Sequence, residues 1–194
     1  MNETDELPKR VALLGDLEKL SAAQFARANP RPALHLTLEL SKPRTARVAR
    51  DPEAREKSPQ EKSYERTATI PPSPSGLVAA SRYHDRIAFL AKRAGNPFPN
   101  MISVGRALNN DLVVMLSTMS KIHGYFMCEG DAWSFIDHGS KNGTRINDQP
   151  LQPREKRALQ SGDRIRLGLE LHAVFFAPEK LYDFLRRSSS AVSP

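Results

Sequence analysis

A single cysteine in 194 residues, Cys128, has no partner for an internal disulfide and cannot build a multi-thiolate metal site, so neither a disulfide framework nor redox chemistry is expected. Long apolar runs are missing too. No window approaches the roughly 18 uninterrupted apolar residues of a membrane helix, and the opening MNETDELPKRVALLGDLEKL lacks the charged, apolar and small-residue order of a secretory signal. The expectation is a cytoplasmic protein with no membrane partner. Walker and dinucleotide glycine loops are absent, as is the Gly-x-Ser-x-Gly turn of serine hydrolases. With 39% hydrophobic and 7% aromatic residues, the chain supports one modest domain with flanking segments.

What the chain has in excess is positive charge, 29 Lys and Arg against 22 Asp and Glu. A nucleic-acid-binding arm concentrates such charge on one face or in one run. Here residues 1–84 hold 14 basic against 11 acidic residues, 85–176 hold 12 against 9, and 177–194 hold 3 against 2. The even spread argues against nucleic acid as the main partner. A basic nucleic-acid-associated protein that uses its fold as a scaffold stays open as an alternative.

Texture divides the chain. In residues 1–41, Leu13, Leu14, Leu17, Leu20 and Phe25 recur at helical spacing, and Leu34, Leu36, Leu38 and Leu40 alternate at period two after Asn29-Pro30-Arg31-Pro32. The pattern predicts an N-terminal extension of a short helix plus a strand. Residues 42–78 are rich in Pro and charge and have too few apolar side chains to offset the entropy of ordering, which predicts a flexible linker. Residues 83–177 show short apolar or alternating runs about ten residues apart, separated by turn signals. The expected strands are 86–91, 101–106, 112–115, 124–128, 133–137, 144–146, 164–167 and 172–176, in an all-β sandwich of two packed, mostly antiparallel sheets. Trp133 reads as core. A closing helix is expected over 178–188, opened by Pro178, with Leu181, Phe184 and Leu185 on one face, followed by a disordered tail over 189–194.

Three polar clusters fall in turns between the expected strands, where a rigid sandwich presents binding residues. They are Gly105-Arg106, Ser120-Lys121-Ile122-His123, and Ser140-Lys141-Asn142-Gly143-Thr144 with Asn147 beyond. Arg106 offers a planar fork of donors matched to phosphate oxygens, Ser120 a hydroxyl, and Lys121 and Lys141 point charges. Asn142 both donates and accepts, which suits the two polar groups of a peptide backbone. Taken singly, Arg106 is a solvated strand-end arginine, Ser120 a turn residue and Asn142-Gly143 a tight turn. Together they describe a phosphopeptide pocket.

At these positions the chain resembles the forkhead-associated (FHA) domain. That family carries Gly-Arg at an early strand end, Ser-x-x-His about 14 residues on, and Asn-Gly after a further 20 or so, matched here by Gly105-Arg106, Ser120-x-x-His123 and Asn142-Gly143. The run from Ser161 to Gly168 also looks like the family's late hairpin. The resemblance extends from about Asp85 to Phe176. It implies a β-sandwich that reads phosphothreonine peptides on loops at one end. Arg106 and Ser120 would hold the phosphate with Lys121 and Lys141 beside them, and Asn142 would hold the peptide backbone. Gly105, His123, Ser140, Gly143 and Asn147 would support the site. Two departures are Gly124, commonly Ala in the family, and Lys121, commonly Arg.

Ser120 and His123 also invite a nucleophile and base reading, but no third orienting group accompanies them, so no enzyme is expected. His123, Asp137, His138 and Cys128 have no ligand spacing that would imply a metal, and no cofactor is expected. Thr67 and Thr69 in the linker are possible phosphorylation sites. The implied role is a signalling adaptor downstream of a Ser/Thr protein kinase, with phosphothreonine-containing proteins, the kinase or its substrates, as partners. The other alternative is a structural interaction module whose pocket is silent.

Overall fold

A computed structural model describes Leu7, Leu13, Leu17, residues 19–39 and residues 82–190. The expected 42–78 linker, with Thr67 and Thr69, lies outside the described residues.

Eleven strands are described, in two sheets. They are β1 (Ala33–Leu38), β2 (Arg86–Phe89), β3 (Met101–Gly105), β4 (Leu112–Val113), β5 (Gly124–Glu129), β6 (Ala132–Asp137), β7 (Thr144–Ile146), β8 (Gln149–Leu151), β9 (Lys156–Leu159), β10 (Arg164–Leu167) and β11 (Leu171–Phe176). One sheet has the order β2-β1-β11-β10-β7-β8 and the other β4-β3-β5-β6-β9. Every pairing is antiparallel except that of β3 with β4. The helices α1 (Ala22–Ala28) and α2 (Pro178–Ser190) accompany them.

The inward faces interdigitate around fully buried Leu34, Leu36, Phe126, Phe135, Ile165, Leu167 and Leu171. Phe126 and Phe135 meet edge to face at 4.8 Å. Their packing explains Gly124: a Cβ there would come within 2.5 Å of the Phe135 ring. A second core lies on the outer face of the six-stranded sheet, where Ala33 and Ile87 pack against Phe25 of α1 and Leu181, Tyr182 and Leu185 of α2. The Ser21–Gln24 capping box closes the start of α1. The Tyr182 hydroxyl donates to the Leu20 carbonyl at 2.9 Å, and Phe184 stacks on Phe176. α2 runs two residues past the expected end at 188. Trp133 is half-buried at the edge of the main core, 6.3 Å from the Phe175 ring centre.

β1 departs from the expected organisation. The sequence sets residues 1–41 apart as an extension, yet β1 lies inside the six-stranded sheet, pairing with β2 on one side and β11 on the other. Both of its faces are covered, Leu34 and Leu36 by the sandwich core and Ala33 by the helices. Two strands, β8 and β9, have no counterpart in the sequence reading. Both are sheet edges with one buried residue each, Leu151 and Leu159, so they show no alternating pattern. β8 even tolerates Pro150, as an edge can.

Because β1 supplies central ladder bonds and two fully buried leucines, each worth about 1.5–3 kcal/mol on burial, it is a large share of a typical domain's 5–15 kcal/mol. We expect a fragment of residues 80–188 to lose the cooperative thermal unfolding of the full chain, read by circular dichroism. A cooperative melt of that fragment would show that β2 and β11 close the sheet without β1.

Candidate functional site

The β3–β4, β4–β5 and β6–β7 loops meet at one end of the sandwich, and the closeness of the first two rests on Gly105. A Cβ at Gly105 would stand 2.3 Å from the Lys121 carbonyl oxygen, so only glycine lets β3 run against that loop. The ladder then continues past the strand: Arg106 N–H donates to the Ser120 carbonyl at 3.0 Å and Ala107 N–H to the Lys121 carbonyl at 3.1 Å. Buried Asn110 clamps the pair, its amide donating to the Ala107 and Lys121 carbonyls at 2.8 Å each.

Asp137 organises the β6–β7 loop. Its carboxylate accepts from the Gly139 and Ser140 N–H groups at 2.8 and 2.7 Å, from the Ser140 hydroxyl at 2.7 Å and from the Thr144 hydroxyl at 2.6 Å. Since Thr144 spends its one hydroxyl hydrogen on Asp137, its oxygen accepts from His123 Nε2 at 3.2 Å, which sets the imidazole tautomer. Burial pushes His123 below the ordinary histidine range, partly offset by Asp137 and the Gly143 backbone. Burial by itself would raise the Asp137 carboxyl, but the Thr144 and Ser140 bonds together with His123 hold it below the usual carboxylate range. Gly143 turns the loop at φ +69°. Lys141 N–H donates to Ser120 Oγ at 3.0 Å, joining this loop to the first two.

The expected phosphate-binding residues therefore converge. Ser120 Oγ accepts from Lys141 and keeps its own hydrogen for an incoming acceptor. Arg106, Lys121 and Lys141 are exposed, and among the described residues their side chains have no hydrogen-bond or ion-pair partner. Some other surface cations are paired, as Arg157 with Glu155, Arg164 with Asp148 and Lys156 with Glu129, while exposed Arg31, Arg154 and Arg187 stand outside these loops, their side chains without partners among the described residues. The half-buried Asn142 donates to the Thr118 carbonyl at 2.7 Å, which aims its amide across the loop end.

Gly105, His123, Ser140 and Gly143 stand in or under these loops. Asn147 does not. It follows the opposite end of β7, where its amide donates to Asp163 at 2.7 Å and accepts from Arg164 N–H at 2.9 Å, bracing the far corner of the sandwich. The Ser120 and His123 pair is likewise unlinked, since His123 Nε2 is taken by Thr144. Among the described residues no group of three His, Cys, Asp or Glu is placed to hold a metal, and no helix is long and apolar enough to cross a membrane.

Asn110, Asp111 and Asp137 escaped the sequence reading as site residues, and Thr144 entered it only as a member of the third polar cluster, with no role. Asp111 is buried and accepts from the Ser103 N–H and hydroxyl at 2.8 and 2.9 Å and from Arg93 N–H at 2.9 Å, tying the β2–β3 loop to the β3–β4 loop. Burial works to raise its carboxyl, and these bonds with the Lys92 charge outweigh it and hold the group low. The available signal was the habit of Asn and Asp at strand ends of bonding nearby backbone.

The family model described as the FHA domain matches residues 102–168. The chain is 36% identical over 99 residues to Protein FraH of Nostoc sp., a stretch covering 51% of this chain and 28% of that protein. It is 32% identical over 81 residues to the glycogen accumulation regulator GarA of Mycolicibacterium smegmatis, covering 42% and 49%. With the oxoglutarate dehydrogenase inhibitor of Corynebacterium jeikeium it shares 33% identity over 66 residues, covering 34% and 44%. The matched stretches thus span half or less of each relative.

A histidine held low in the fold binds fewer protons there than in the unfolded chain, so its contribution to stability is complete above the ordinary value of 6.5 and declines as pH falls through it. We expect the melting temperature to drop between pH 7.5 and 5.5, and the His123→Asn variant to show a shallower drop. Equal slopes would remove His123 as the group responsible.

Proposed function

We propose that this FHA-domain protein, a member of that family through residues 102–168, is a phosphothreonine-peptide binding module acting as a signalling adaptor downstream of a Ser/Thr protein kinase. The observation that carries the reading is the set of unpaired cations. Arg106, Lys121 and Lys141 are exposed on the loops that meet at Ser120, whereas Asp111 and Asp137, the carboxylates that organise those loops, are turned inward onto N–H and O–H donors. A phosphate bringing about −1.5 to −2 charges restores the balance. In this reading Arg106 and Ser120 hold the phosphate with Lys121 and Lys141 beside them, and Asn142 holds the peptide backbone next to it. Two of the matched relatives are named as a regulator and an inhibitor, which agrees with a binding role rather than an enzymatic one.

The test is fluorescence anisotropy of the full chain with phosphothreonine peptides and their unphosphorylated counterparts. Charge-assisted hydrogen bonds of about 1.5–3 kcal/mol mean that Arg106→Ala should weaken binding at least tenfold, and raised salt should weaken it further. Equal binding of phosphorylated and unphosphorylated peptides would overturn the reading. Salt-sensitive binding to random duplex DNA, indifferent to Arg106→Ala, would favour a nucleic-acid scaffold instead.

Thr67 and Thr69 are proposed as sites at which a kinase would create a phosphothreonine that binds in cis. β1 ends and β2 begins beside the same loops: Glu39 N–H donates to the Glu170 carbonyl, and Thr118 donates to the Glu170 carboxylate. A tethered phosphothreonine would compete at high effective concentration. We expect kinase-treated protein to bind an external phosphopeptide more weakly than untreated protein, and undiminished binding would remove this device.

A further inference from the structure

The apolar cluster on the outer face of the six-stranded sheet stops short of β10 and β7. It joins α1 and α2 to β1, β2 and Phe176 at the end of β11, and no outward side chain of β10 or β7 belongs to it. Alternation decides what those strands present instead. The residues between the buried ones point outward: His172, Val174 and Phe176 on β11, Arg164 and Arg166 on β10, and Arg145 on β7.

The register sets three of these bases side by side. Arg166 lies directly opposite Arg145 on one strand and His172 on the other. Like charges directly opposite one another destabilise a sheet, and the acids of this face are engaged elsewhere. Asp148 pairs with Arg164, Glu39 stands 3.4 Å from His172, and Asp183 3.9 Å from Lys180. Arg145 donates through Nε only to a neutral acceptor, the Asp148 carbonyl, at 2.9 Å. Among the described residues Arg166 has no hydrogen-bond or ion-pair partner, and its Nε is buried without an acceptor.

α2 supplies a second cationic border. Lys180, Asp183, Phe184 and Arg187 recur at the i, i+3, i+4, i+7 spacing that puts them on one helix face, and that face lines a groove of about 380 Å³. Phe176, stacked on Phe184, lies in the groove, and Ser161 and Gly162, which lead into β10, close its other side. Val174 comes next outward along β11, directly opposite Arg164. The apolar strip of Phe176 and Val174 therefore runs between the cations of α2 and those of β10.

The chemistry of the borders names the occupant. Arginine presents a planar fork matched to carboxylates, and three of the cations here are sheet arginines. An apolar strip between two such borders complements a segment in which carboxylates flank apolar side chains. The evenly charged backbone of a nucleic acid would leave the strip unused and meet Asp148, Asp183 and Glu39 on the same face.

We infer that the trough between α2 and β10 is a second interaction surface, which takes an acidic segment of a protein partner whose Asp and Glu side chains flank apolar ones. No phosphate is required, and the surface stands independently of the phosphopeptide reading.

The test is fluorescence anisotropy of the full chain with a labelled peptide of Asp and Glu carrying leucine at every third or fourth position. Its controls are a peptide with Gln for the acids, one with Ser for the leucines, and single-stranded DNA of equal charge. The acidic leucine peptide should bind most tightly, and Arg166→Gln and Arg187→Glu should weaken it about fivefold each, while Arg106→Ala leaves it unchanged. Arg187 is exposed on the helix, so its variant reads the trough even where Arg166→Gln weakens the sheet. Binding no tighter than that of the Gln or Ser peptide, or binding that both variants leave intact, overturns the surface. Loss of binding in Arg106→Ala would move the peptide to the phosphate-facing loops, and tighter capture of the DNA would assign the cations to nucleic acid. Either result overturns the proposal.

Discussion

At Gly105 the backbone of β3 lies against the Lys121 carbonyl with no space for a side chain, and the arrangement of the loop end follows from that approach. It lets the ladder bonds of β3 run on to Arg106 and Ala107, which places the Arg106 backbone beside that of Ser120 from a different loop. Asn110 then ties the two loops together by donating to the Ala107 and Lys121 carbonyls. A methyl group at position 105 would push these loops apart, separating the donors by more than a hydrogen bond tolerates.

Two inward-facing carboxylates do for the neighbouring loops what Gly105 does for this one. Asp137 gathers the β6–β7 loop through four donors and, through Thr144, holds His123; Asp111 gathers the β2–β3 and β3–β4 loops. A buried carboxylate is costly unless its lone pairs are satisfied, and here that need is what shapes the backbone around it. The electrostatic consequence reaches the surface. With Asp111 and Asp137 committed inward, Arg106, Lys121 and Lys141 face solvent without partners among the described residues.

The order of the two sheets shows how far an all-β fold depends on pairings between distant residues. β1 and β2 are hydrogen-bonded neighbours although residues 39–85 separate them in the chain. Joining them brings both ends of that intervening stretch to the loop end of the sandwich, near Glu170 and Thr118. α1 and α2 complete the outer face, so residues from both ends of the chain share one apolar cluster.

The order of the motifs, the eight strands with clear apolar rhythm and the closing helix were legible in the sequence because each is local: period-two alternation, turn residues and helical spacing act between near neighbours. The donors Arg106, Ser120, Lys121, Lys141 and Asn142 could be read because their side-chain chemistry does not depend on the fold. Their convergence, by contrast, required the third dimension, as did the burial of Asp111 and Asp137, which as residues near strand ends look solvated in the sequence. The placement of β1 was decided by tertiary structure for the same reason, since nothing within residues 33–38 encodes pairing with a strand that begins at Arg86. Edge strands β8 and β9 bury one side chain each and hold their place through backbone bonds, which every residue but proline can make and no sequence pattern records.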